Sequence, residues 1–364
     1  MRVAYYSPMP PSRSGIADYS ALLVPALAER MDVVVARPAR LRREPKADVS
    51  LYHVGNDPEA HGWIVEALRR RPGVVVLHEL VLHHLVSGIT LARGDVDGYL
   101  AALEREAGLV GRLLGHAVAD ERIKPLWETR PEEFPLTGEV LDLATGLIVH
   151  SRYAEERVQA AGYTGPVWRI PMPAWPVPAV EPAPVEGEPL FGCFGHINES
   201  KRVPQLLAAF ERLHRRVPAA RLLLVGAASP RLGELDLPAG VLREEYVPEE
   251  RLWALLAACD ACVSLRFPTM GETSAAAVRA LSLGKPLVVS DAGWFSELPD
   301  DVAIKVRVGD GEVEALEAAL ERAATSPAMG EAALRLAETE HRLDRVADLY
   351  AAALAEAVAQ TRAA

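Results

Sequence analysis

Glu272, Thr273 and Ser274 stand between an apolar run at 261–265 and a helical stretch at 275–283. This is the order strand, loop, helix. Gly284 stops the helix, and 286–290 reads as another buried strand. A helix that opens after a strand offers unpaired backbone N–H groups and a positive dipole end, which suit a phosphate. A carboxylate beside such an anion site needs a reason. A polyhydroxylated ligand carrying a diphosphate supplies one: its hydroxyls meet Glu272 and its phosphates meet the amides.

Other loops carry chemistry at strand ends. In 191–202, FGCFGHINESKR, Lys201 opens a helix, where its charge opposes the dipole unless an anion sits there. Lysine is scarce, with only Lys46, Lys124, Lys201, Lys285 and Lys305, although a plain surface cation is the simpler reading of this loop alone. Gly192 and Gly195 do not make GxGxxG, and GxxxxGK[ST] is absent, so a dinucleotide fingerprint or P-loop is poorly supported. Gly15, within Ser14-Gly15-Ile16-Ala17-Asp18-Tyr19, allows close backbone approach, though an ordinary turn explains it equally. His53, Asn56 and Asp57 could line a cleft, with a polar turn as the plainer alternative. His78 and Glu79 follow the apolar run 74–77, a common position for working residues. His78 and His83 are five apart, where HExxH needs four, so a zinc protease is not indicated, and His83 and His84 read as solvating a helix start. Cys259-Asp260-Ala261-Cys262 closes a helix instead of opening one, which is the wrong dipole end for a redox pair, and no second cysteine pair completes a zinc site.

The elements that must hold these loops alternate. Strands are expected at 3–7, 32–36, 49–53, 74–77, 146–150 and 167–170, with helices between them, and 82–142 is mostly helical. Pro171 to Pro189 is too proline-rich for helix or interior strand and reads as a semi-rigid linker. Alternation then restarts, and everything from 332 onward reads as helix. The pattern implies parallel sheets covered by helices. The 364 residues leave room for two such domains, and no segment is apolar enough to span a bilayer. A net charge of −11 argues against nucleic acid as the main partner, and three cysteines in apolar settings argue for a reducing compartment.

On these residues the chain resembles the GT-B glycosyltransferases, specifically glycosyltransferase family 4, also called group 1, along nearly its whole length. SGIADYS at 14–20 resembles the family's Gly-rich loop after the first strand. His78-Glu79 resembles its His-Asp pair, and LIVHS at 147–151 its serine-ended strand. Gly195-His196 with Lys201 resembles its Gly-Arg loop followed by Lys, and GETSAAAVRALSLGKP at 271–286 its E-x7-E block. The chain departs from that pattern in three places. Arg279 stands for the second glutamate, Glu272 is shifted by one residue, and His196 replaces the Arg, so Arg266, Arg202 or Glu297 are candidates to take over those roles.

The resemblance implies an α/β GT-B fold of two Rossmann-like α/β/α domains facing each other across a cleft. The domains would be 1–172 on the acceptor side, with 343–364 packing back on it, and 190–342 for the donor, joined by the linker 173–189. It implies transfer of a sugar from a UDP- or GDP-sugar, with retention and without a metal or other cofactor. The acceptor would be a hydroxyl of a glycan, a lipid-linked molecule or a small molecule. His78, Lys201 and Glu272 would be catalytic. Gly15, Ile16, Gly195, His196, Arg202, Arg266, Gly271, Thr273, Ser274, Ala275 and Arg279 would bind the donor, and Asp18, Tyr19, Asn56 and Glu79 would face the acceptor. The implied protein is a cytoplasmic monomer or homodimer, at most peripheral at the inner face of a membrane. A nucleotide-sugar epimerase or hydrolase on the same fold, or a non-catalytic nucleotide-sugar-binding subunit, are the alternatives.

Overall fold

The computed structural model describes residues 1–12, 14–38, 45–229 and 235–363. The chain divides into two compact units, each built on one six-stranded parallel sheet. The first unit comprises Met1–Pro171, Met270–Thr273 and Leu343–Ala364, and the second Met172–Thr269 and Ser274–Arg342.

In the first unit the strands are β1 (Arg2–Tyr6), β2 (Asp32–Val35), β3 (Val49–Val54), β4 (Gly73–Leu77), β5 (Ala144–Val149) and β6 (Val167–Arg169). Their order is β2-β1-β3-β4-β5-β6. Every residue of β3 and β4 is buried, as expected where helices cover both faces of a parallel sheet. The chain reverses its direction of winding beside β1, so the loops after β1 and β3 flank the point where α/β sheets usually bind ligands. The loop after β1 leads into α1 (Gly15–Ala28), capped by Ser14, whose Oγ accepts from the Ile16 N–H. Gly55 follows β3, and a Cβ there would lie 2.5 Å from Ile16 Cδ1, so a larger residue would push the Ile16 side chain aside.

The second sheet runs β12-β11-β10-β7-β8-β9. Its strands are β7 (Leu190–Phe194), β8 (Arg221–Val225), β9 (Val241–Glu244), β10 (Ala261–Ser264), β11 (Leu287–Ser290) and β12 (Ala303–Val306). Winding begins at β7, spreads to β9 on one side and from β10 to β12 on the other, so the reversal falls between β7 and β10. Its core joins Phe191, Val263 and Val288 of the sheet to Leu206, Phe210 and Leu213 of α8 (Val203–Arg216) and to Leu316 and Leu320 of α11 (Glu312–Ala324).

The structure differs from the sequence reading in three places. The carboxyl-terminal helical stretch begins earlier, at α12 (Pro327–Thr339), and breaks before α13 (Leu343–Ala363). His341 stands in that break, with its Nδ1 donating to the Met172 carbonyl at 2.7 Å and its own carbonyl accepting from the Ala174 N–H. The proline-rich segment has no regular structure but is not a free tether. Met172, Trp175 and Ala183 are buried in the second unit, and the Ala183 N–H donates to Ala254 at 2.9 Å. In the expected helical region, α4 (Val96–Ala119) is interrupted at Ala107 and Gly108, the latter at φ +58°, a conformation that glycine adopts at little cost.

Candidate functional site

In the first unit, three adjacent strands each deliver one imidazole. His53 is the penultimate residue of β3, and His78 and His150 directly follow β4 and β5. His53 pairs in register with Val76 and Leu77 with Val149, so His53 and His78 lie two positions apart along one face, and His78 and His150 occupy matching places. His53 Nδ1 lies 2.9 Å from His78 Nε2. The His78 and His150 rings are 5.1 Å apart, and Tyr19 meets His78 edge-on at 4.9 Å. His150 Nδ1 donates to the Ile170 carbonyl at 2.8 Å, and His61 Nδ1 to the His53 carbonyl at 3.0 Å. Burial, reinforced by the neighbouring imidazoles, holds His53 and His78 well below the ordinary histidine pKa. His53 and His78 are therefore neutral at physiological pH. Among the described residues no group of three or more His, Cys, Asp or Glu side chains is arranged to hold a metal ion.

The other first-unit candidates fall around this cluster unevenly. Gly15 and Asp18 are exposed at the start of α1, with Ile16 half-buried. Tyr19, expected on the acceptor side, is 1% exposed, and its hydroxyl is spent on Tyr350 of α13. Asn56 Oδ1 accepts from the Leu85 N–H at 3.0 Å and so anchors α3 (His83–Ile89). Glu79 is half-buried after His78. His83, expected to be solvated, is buried, with its ring between the Phe134 carbonyl and the Tyr99 hydroxyl.

In the second unit, the loops after β7 and β10 meet at the reversal of strand order. Gly195 ends β7 at φ +91°, and a Cβ there would lie 3.1 Å from Lys201 Nζ. Lys201 is no surface cation. It is 7% exposed, and its ammonium donates to the Phe194 carbonyl. Among the described residues no carboxylate pairs with it. Burial, with the positive charge of Arg266 nearby, pushes its pKa down to about 8. The Arg266 guanidinium donates to Ser200 Oγ at 3.0 Å, its backbone N–H donates to Ser290 Oγ, and the Phe267 N–H donates to the Ser200 carbonyl at 2.7 Å. Three strand-end loops are thereby tied together around two cations.

Arg202 and Arg279, both expected at the donor, have partners within the protein. Arg202 forks onto the carboxylate of Glu312, a partner missed in the sequence because it lies 110 residues away. The Arg279 guanidinium lies 3.8 Å from the ring centre of Trp175 and 4.0 Å from Glu249. His196 is exposed beside Gly195. Ser274 caps α10 (Ala275–Ser282) by accepting from the Ala277 N–H at 3.2 Å. Thr273 lies outside the helix, and its buried Oγ1 has no hydrogen-bond partner among the described residues. Gly271 has φ +80°, and Glu272 Oε2 accepts from the Met270 N–H at 2.7 Å.

Two six-stranded parallel sheets with flanking helices, forming two Rossmann-like domains, are the architecture of GT-B glycosyltransferases. Residues 188–326 match the family described as Glycosyl transferases group 1, so this segment is a glycosyl transferase domain and the protein is a glycosyltransferase by class. The solved sucrose-phosphate synthase of Thermosynechococcus elongatus is similar in fold, at 16% identity and TM-score 0.68 over 98% of this chain and 100% of that one. HepE of Anabaena, solved in complex with UDP-glucose, is similar at 14% identity and TM-score 0.64, over 98% and 100% of the two chains. WaaG, described as a glycosyltransferase of lipopolysaccharide biosynthesis, is similar at 14% identity and TM-score 0.59, over 95% and 99%. No curated protein matches the chain by sequence.

Proposed function

We propose that the protein moves a sugar from a nucleoside diphosphate sugar to an acceptor hydroxyl with retention and without a bound metal. The observation that carries this reading is Lys201: an ammonium almost wholly removed from water, without a carboxylate partner among the described residues, beside Arg266. Burying a charge is costly unless an opposite charge meets it. A diphosphate at the β7–β10 switch point supplies that charge, and the buried Lys201 with the half-buried Arg266 stabilises the charge that develops on it as it leaves.

In this reading Lys201 and Arg266 hold the leaving diphosphate, with Gly195 allowing its close approach. Glu272 holds hydroxyls of the transferred sugar, and the α10 amides beside Thr273 and Ser274 face phosphate oxygen. His78 hydrogen-bonds the sugar. Retention by front-face attack lets a donor phosphate oxygen take the acceptor proton, so no protein base is required. UDP and GDP are the favoured nucleotides. UDP is also the nucleotide in the HepE complex. The acceptor is a hydroxyl of a glycan, a lipid-linked molecule or a small molecule, reached from the cytoplasm.

The test is thermal shift with UDP, GDP, ADP and TDP, with EDTA present, followed by NMR of the anomeric product formed from the matching sugar conjugate. A diphosphate at a hundred times its Kd stabilises the fold by about 2.7 kcal/mol, which is readily seen. A shift from one diphosphate and a product of unchanged anomeric configuration are expected. No shift from any of the four, or an inverted product, would overturn the reading.

A further inference from the structure

We propose that His53 is a positioning residue that fixes the tautomer of His78, so that His78 presents its Nδ1–H as a hydrogen-bond donor. The proposal rests on the assignment of His78 to the sugar.

The geometry leaves two arrangements for the 2.9 Å contact between His53 Nδ1 and His78 Nε2. If His78 Nε2–H donates, His53 must carry its own proton on Nε2. That atom is sealed from solvent and has no hydrogen-bond partner among the described residues. An N–H would then be buried with no acceptor among the described residues, in a setting where the Tyr5 and Tyr19 ring centres lie 4.5 and 5.7 Å from that of His53. If His53 Nδ1–H donates instead, the sealed Nε2 holds only a lone pair, and no donor is orphaned. Orphaned buried N–H groups are rarer in proteins than under-satisfied acceptors. The second arrangement therefore holds. His78 accepts through Nε2, and its one proton resides on Nδ1.

The surroundings hold this state in place. Among the described residues neither His53 nor His78 has a carboxylate partner to draw a second proton into the pair. His61 donates to the His53 carbonyl, and Tyr5 lies against the His53 ring at 4.5 Å, which fixes the orientation of that ring. His78 Nδ1 makes no hydrogen bond among the described residues. A ring presented in this way donates to an oxygen and does not abstract a proton. That fits a hydroxyl or ring oxygen of the sugar, and it excludes His78 as a general base.

The experiment uses the full chain labelled with 15N at histidine. Two-bond 15N–1H correlation spectra report which ring nitrogen of each neutral histidine carries the proton, and the His53→Asn and His78→Asn variants assign the signals. His78 protonated at Nδ1 is expected, and His78 protonated at Nε2 would overturn the proposal. Turnover gives the second readout. Asn carries an amide donor near the place of Nδ1, so His53→Asn retains most of kcat. His53→Phe keeps the ring packing but lacks the donor, and it loses about tenfold in kcat, the worth of one such hydrogen bond. Equal kcat in the two variants would also overturn the proposal. If no nucleoside diphosphate sugar is turned over at all, the functional assignment fails while the spectra still decide the tautomer.

Discussion

The hydroxyls of Tyr19 and Tyr350 lie 2.7 Å apart, which joins the first helix of the chain to the last across 331 positions. Both rings are fully buried, so each hydroxyl depends on the other. Tyr350→Phe strands the Tyr19 hydroxyl and costs about 1–3 kcal/mol, the penalty for an unsatisfied buried polar group. The double variant Tyr19→Phe, Tyr350→Phe removes both groups and is less destabilising than the sum of the singles. Urea denaturation of the four proteins measures the coupling. Strict additivity would show that the pair is not a unit.

Lys201 makes diphosphate affinity depend on pH. With a pKa lowered to about 8, the free protein loses the ammonium as pH rises through that value. A bound diphosphate favours the charged form and raises the pKa. Affinity is therefore highest below pH 8 and weakens by up to about tenfold per pH unit above it, and binding takes up a proton near pH 8.5. Calorimetry in two buffers of different ionisation enthalpy reads that proton directly. Lys201→Met binds weakly and without this slope. An affinity unchanged between pH 7 and 9.5 would remove Lys201 from the anion site.

The strand ends that carry these groups were legible in the sequence because each follows a short apolar run, as His78 follows Val74–Leu77. What the groups meet was not legible. His53 touches His78 only because β3 and β4 are neighbours in register, and sequence spacing does not encode that. Lys201 read more simply as a surface cation, since its burial depends on the β10 loop closing over it through Ser200 and Phe267. The proline-rich stretch announced a lack of regular structure correctly. Its attachment to the second unit through Trp175 and Arg279 depends on a contact between a linker residue and a distant helix. Local periodicity fixes elements, whereas tertiary pairing decides which polar groups remain for chemistry.

The buried histidines make the fold acid-sensitive. Burial pushes His61 and His83 down to about 4 and holds His53 and His78 well below the ordinary value. These groups are neutral when folded and take up protons near pH 6.5 when unfolded. Their contribution is complete above pH 6.5 and is lost as pH falls below it, at up to about 1.4 kcal/mol per pH unit for each group. Unfolding at pH 5.5 therefore takes up more than one proton from these sites. His61→Asn keeps a donor toward the His53 carbonyl but cannot titrate, so it reduces the pH slope by up to one proton. Urea titrations at pH 7.5, 6.5 and 5.5 test this, and equal stabilities at all three would contradict it.

Two ion pairs anchored on the same helix separate burial from charge as a source of stability. Glu312 and Glu314 both lie in the first turn of α11, where the helix dipole favours a carboxylate at either position. The Glu312 side chain is 3% exposed and meets Arg202, whereas Glu314 is 62% exposed and meets Arg212 at 2.7 Å. Glu314→Gln leaves stability nearly unchanged, because exposed pairs are screened by water and salt. Glu312→Gln leaves the Arg202 guanidinium, itself largely covered, without its counter-charge and costs about 3 kcal/mol. Arg202 sits at φ +54° between Lys201 and α8, so losing its anchor also frees the loop that holds the Lys201 ammonium. Glu312→Gln should therefore weaken diphosphate binding at temperatures where the protein is still folded, and Glu314→Gln should not. Calorimetric titration of both variants well below their Tm decides the point. Equal affinities would confine Arg202 and Glu312 to stability alone.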